Sequence, residues 1–99
     1  MLHIVNKSPN ERTSLESCLR LAQSGTPILL IEDGVYAAVR GSTAGDRLQQ
    51  AAADHRFFVV QADADARGIA DRLVDDVTPV DYGGFVDLVA ENETNQSWL

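Results

Sequence analysis

Pro27-Ile28-Leu29-Leu30-Ile31 is apolar without interruption, short, and bounded by breakers at Gly25 and at Glu32-Asp33-Gly34. A run of that kind, with no polar alternation, reads as a strand buried on both faces of a parallel sheet. Working outward, Leu2 to Val5 and Phe57-Phe58-Val59-Val60 read as further strands, the latter from its aromatic and β-branched content. Val77-Thr78-Pro79-Val80 is a fourth, and Pro79 places it at or near an edge.

Amphipathic segments separate these runs. Leu15, Cys18, Leu19 and Ala22 recur at helical spacing, and Gly25 with Pro27 ends that helix. Two capping boxes compete for its start, Ser8 with Glu11 and Thr13 with Glu16. Asp33 can cap a short helix through Val35, Ala38 and Val39, and Gly41 to Gly45 reads as a loop. Leu48, Ala51 and Ala52 mark a helix ending near His55. Asp63 caps a brief helix that Gly68 stops, and Ile69 with Leu73 suggests one more turn. Asp81 caps a clear helix with Tyr82, Phe85, Val86 and Val89 on one face. Strands alternating with helices define an α/β fold, a three-layer α/β/α sandwich with a mainly parallel sheet. It has four strands, or five if the tail through Trp98 pairs. Residues 1–99 form one domain, without repeat or linker.

Composition narrows the chemistry. The net charge is −7, and the eight basic residues are scattered singly. Phosphate capture needs clustered Lys and Arg, so direct nucleic-acid binding is not expected, and anionic membranes are disfavoured. No apolar run is long enough to span a bilayer, and the first residues lack a signal-peptide pattern. With a single cysteine, the expected address is cytoplasmic.

Ligands of open α/β sheets sit beyond the carboxyl ends of the strands. The loops there are Asn6 to Pro9, Glu32 to Gly34, Gln61 to Asp65 and the Asp81 region, and none carries a nucleotide-binding glycine motif. Glu32-Asp33 and Asp63/Asp65 read as helix caps or as a magnesium or phospho-acceptor site, with capping favoured by position. His3 and His55 fit no ligand spacing, so neither a metal nor a cofactor is expected. Cys18 flanks the apolar stripe of its helix. It is either a small core residue or a thiol that carries persulfide or meets another subunit. Tyr36 and Trp98 are candidates for a subunit interface, with packing inside the chain as the alternative.

Several stretches together resemble the DsrH/TusB family. They are Met1-Leu2-His3, Asn6-Lys7-Ser8-Pro9, Ser14-Leu15-Glu16-Ser17-Cys18-Leu19, Ile31-Glu32-Asp33-Gly34-Val35-Tyr36-Ala37-Ala38, Ala66-Arg67-Gly68, Asp81-Tyr82-Gly83-Gly84-Phe85-Val86-Asp87-Leu88 and Gln96-Ser97-Trp98-Leu99. The resemblance runs the length of the chain. It implies a DsrE/F/H-like fold and membership of a cytoplasmic sulfur-relay complex. There, DsrE/TusD-like and DsrF/TusC-like subunits join this type in a dimer of heterotrimers, and sulfur passes to a DsrC/TusE-like carrier. Its destination is 2-thiouridine at the wobble position of transfer RNA in one branch, and sulfur oxidation in the other. The resemblance further implies that this type of subunit serves assembly, with the principal persulfide cysteine on a partner. Cys18 then stands as an auxiliary persulfide site at most.

Overall fold

The computed structural model describes residues 1–10 and 14–98. Five strands, β1 (Leu2–Val5), β2 (Pro27–Leu30), β3 (Arg56–Val60), β4 (Val77–Val80) and β5 (Asn95–Trp98), form one sheet in the order β4-β3-β2-β1-β5. Every pairing is parallel, so the sheet is wholly rather than mainly parallel. The tail does supply the fifth strand, with Leu2 opposite Asn95 and Val5 opposite Trp98. Pro79 lies on the β4 edge, and all four residues of β2 are buried.

Among the described residues four α-helices connect the strands: α1 (Ser14–Leu21), α2 (Thr43–Ala51), α3 (Gln61–Ala66) and α4 (Tyr82–Glu91). Two 3-10 helices, Glu32–Ala38 and Ala70–Arg72, complete the connections. From β1 to β4 the chain steps across the sheet in one direction, then returns through α4 to lay β5 beside β1. Right-handed crossovers stepping one way put their helices on one face, and a crossover in reverse puts its helix on the other. The packing follows this rule. The larger core gathers Leu15 and Cys18 of α1, Leu48 of α2 and Ala64 of α3 on Val5, Ile28, Leu30, Phe57, Val59 and Val77. The opposite face, Leu2 and Leu29 with half-buried Ile4, Phe58 and Val60, meets Phe85, Leu88 and Val89 of α4.

Several local readings change. Thr43 to Gly45 belong to α2, whose cap is Ser42; its Oγ accepts the Gly45 N–H at 2.9 Å. Gly45 is there because a Cβ would run into the Val39 carbonyl oxygen, not because the chain turns. Asp33 lies inside the 3-10 helix and caps nothing. The α4 cap is as expected, Asp81 Oδ1 accepting the Gly84 N–H at 2.8 Å. Its packed face is rotated, however: Leu88 is buried, while Tyr82 and Val86 are exposed. At α1, Ser8 Oγ accepts the Asn10 N–H at 3.2 Å, and Glu11 and Thr13 of the two capping boxes lie outside the described residues.

Candidate functional site

All strands run the same way, so their carboxyl ends share one edge of the sheet. The helices following β3 and β4 leave to opposite faces there, which is the switch point where α/β sheets hold ligands. A cavity of about 240 Å³ sits at this place, lined by Ile31, Glu32, Val60, Asp63, Tyr82 and Phe85, among others. Its walls are mostly apolar, with two carboxylates at the rim. A second cavity of about 240 Å³ lies between the starts of α1 and α2. Glu16 and Arg47, which line it, form a 2.9 Å ion pair.

The acidic clusters of the rim have a structural task. Glu32 adopts a left-handed backbone, with φ of 49°, uncommon for a side chain of its kind. Its N–H donates to Asp63 Oδ2 at 2.8 Å, so Asp63 caps the 3-10 helix after β2 rather than its own helix. Arg67 Nε donates to Asp33 Oδ1 at 2.9 Å, and its Nη1 to the Asp63 carbonyl oxygen at 3.1 Å. Neither Asp33 nor Asp63 caps the helix it was expected to start; the one carboxylate that caps here reaches across from the next connection. Sequence proximity carries no signal for such a pair; Arg67 was visible only within Ala66-Arg67-Gly68. Among the described residues no three His, Cys, Asp or Glu side chains gather as metal ligands would.

Cys18 is remote from this rim. It is fully buried in the larger core, and that burial pushes its thiol up to about 12. Thiolate is the reactive form, and burial of this kind disfavours it. Arg20, the basic neighbour in sequence, instead donates to Ser17 Oγ at 3.4 Å.

Tyr36 and Trp98 are both half-buried and pack against the larger core. Trp98 Nε1 donates to His3 Nδ1 at 3.1 Å, with ring centroids 6.1 Å apart, which ties β5 to β1 through side chains as well as backbone. An accepting Nδ1 requires an unprotonated nitrogen there. Burial lowers the His3 pKa, helped by the N-terminal amine and His55. The unfolded chain therefore takes up this proton first. The stability that neutral His3 contributes is complete above pH 6.5 and declines as pH falls from there toward the lowered folded value. Urea unfolding at pH 7 and pH 5 should show this decline, and His3→Gln, which keeps a hydrogen-bonding side chain without the titration, should show a smaller one. Equal declines would remove His3 as the cause.

The molecule is thus a wholly parallel five-stranded α/β protein with a switch-point cavity, a buried thiol and, among its described residues, no gathered ligand set. Residues 7–95 match the family described as DsrH like protein, and the chain belongs to that family. It is 35% identical over 98 residues to Protein TusB of Escherichia coli O1:K1 / APEC, covering 99% of this chain and 100% of that protein. Protein TusB of Shigella flexneri is 34% identical over the same length and coverage. Among solved structures, the ychN protein from E. coli superimposes with a TM-score of 0.82 at 21% identity, covering 97% of both chains. The MTH1491 protein from Methanobacterium thermoautotrophicum gives 0.71 at 22% identity, covering 97% of this chain and 95% of that one. These two similarities establish the fold. The helices on both faces and the five parallel strands agree with the architecture expected from sequence.

Proposed function

We propose that this chain is an assembly subunit of a cytoplasmic sulfur-relay complex. Joined to DsrE/TusD-like and DsrF/TusC-like subunits in a heterohexamer, it helps pass persulfide sulfur to a DsrC/TusE-type carrier. The end-to-end similarity to TusB proteins carries this reading and favours 2-thiouridine formation on transfer RNA over sulfur oxidation as the destination. The sealed thiol supports an assembly role, because a sulfur acceptor must present thiolate to its donor. Tyr36 and Trp98 each keep surface that a neighbouring subunit can cover.

Co-expression with the two partner types is expected to yield a defined hexamer by light scattering. A stable chain that ignores both partners would overturn the proposal. Within the hexamer, Cys18→Ala should leave sulfur flux to the carrier within about twofold of wild type, and iodoacetamide at pH 8 should label Cys18 only after denaturation. Loss of flux from an intact Cys18→Ala hexamer would make Cys18 a carrier and defeat the assembly reading.

A further inference from the structure

We infer that the outer surface of α4, with the switch-point cavity beside it, is a docking surface for a basic amphipathic segment of a partner protein. Five strands at about 4.8 Å spacing make the sheet roughly 19 Å wide between its outer strands. A single helix, about 10–12 Å across with its side chains, cannot cover that width. Among the described residues the other face has α1, α2, α3 and both 3-10 segments, and this one has α4 alone. Ile31, Val60 and Val80 accordingly stay only half-buried at its margin.

The apolar surface continues outward onto the helix. Tyr82 is 81% exposed and Val86 45%, one helical turn apart. The Tyr82 ring stacks on Phe85, with centroids 6.3 Å apart and planes 10° from parallel, so it is held over the mouth of the cavity it helps to line. An exposed aromatic beside an apolar recess is the arrangement found at the energetic centre of protein interfaces.

Charge selects the occupant. From residue 73 to the end of the chain there is no Lys or Arg, while Asp75, Asp76, Asp81, Asp87, Glu91 and Glu93 are all acidic. Asp81 precedes Tyr82, Asp87 follows Val86, and Glu32 and Asp63 stand at the cavity rim. Arg67, which follows α3, is occupied by Asp33 and the Asp63 carbonyl. A second copy would bring its own carboxylates and a net charge of −7 against this surface. Anionic lipid and nucleic acid are opposed for the same reason. What fits is a segment with one aliphatic or aromatic anchor for the recess and Lys or Arg beside it for the rim.

The source of that segment rests on the assembly reading, and the test separates the two. The co-expressed complex and the isolated chain are compared by amide hydrogen exchange, with Tyr82→Ala/Val86→Ala and Asp87→Lys/Glu91→Lys as variants. Both pairs lie on exposed positions, and an unchanged melting temperature of each isolated variant confirms its fold. The expected result is slowed exchange in α4 within the complex, association weakened about tenfold or more by Tyr82→Ala/Val86→Ala, and a shallower salt dependence for the charge reversal. If the chain enters the hexamer with α4 exchange and affinity unaltered, the docking surface is wrong and the assembly reading stands. If the chain joins no partner, both fall. If α4 is protected equally in the isolated chain through self-association, the occupant is a second copy and the inference is overturned.

Discussion

Gly34→Ala is expected to lower the melting temperature by about 15 °C, the consequence of roughly 3 kcal/mol of lost stability in a domain this size. Gly34 sits in the 3-10 helix where it crosses the end of β1. A Cβ there would overlap the Val5 carbonyl oxygen and stand 2.8 Å from the Val5 carbonyl carbon. Both obstacles are backbone, and that backbone is fixed, since Val5 O already accepts the Ile31 N–H at 3.0 Å and β1 is paired on both sides. The neighbouring strand cannot yield without loosening the sheet. Gly83→Ala is the control. A Cβ at Gly83 meets only Asp81 Oδ1 at 3.4 Å, and alanine suits a helix better, so no loss and a gain of up to about 0.5 kcal/mol is expected. Thermal melts followed by circular dichroism check both. A Gly34→Ala protein that melts with wild type would show that the 3-10 helix can lift from β1.

Phe57→Ala is expected to cost about 3–5 kcal/mol, and its neighbour Phe58→Ala about half as much. The two rings are consecutive in sequence and point to opposite faces of β3. Phe57 is 2% exposed within the crowded core, with His55 edge-on to its ring at 6.3 Å. Phe58 is half-buried on the face that α4 covers alone. Losses of about 3–5 kcal/mol take a fifth or more of the stability of an ordinary domain, so Phe57→Ala should unfold well below the wild-type urea midpoint. Equal costs at the two positions would mean that the faces are equally packed, contrary to the layering.

The central strands were legible because their burial leaves a mark in composition. β2 carries no polar residue since neither of its faces meets water. β5 was legible only as a conditional pairing: Asn95-Gln96-Ser97 has no strand pattern, because an edge strand that buries little apolar surface needs none. The helical period of α4 was readable, but its phase was not. Tyr82 and Val86 fall on the same stripe as Phe85 and Val89, and only the position of the sheet decides which side of that stripe is covered. Cys18 was placed at the flank of its helix face; the crowding of the larger core closes over that flank and seals the thiol. The rim network was hidden for a different reason. Glu32 and Asp63 belong to consecutive connections, and a hydrogen bond between them depends on two strands standing side by side.

That hydrogen bond ties the two connections together across the rim. The left-handed turn at Glu32 is held by a carboxylate from α3, and Arg67 fastens the same helix to Asp33 from the other side. Local unfolding of α3 therefore frees the Glu32 amide and loosens the 3-10 helix, and fraying of the 3-10 helix strips α3 of its anchors. The sides of the recess that these two connections form are thus tied by two side-chain hydrogen bonds, and loss of order in one removes support from the other.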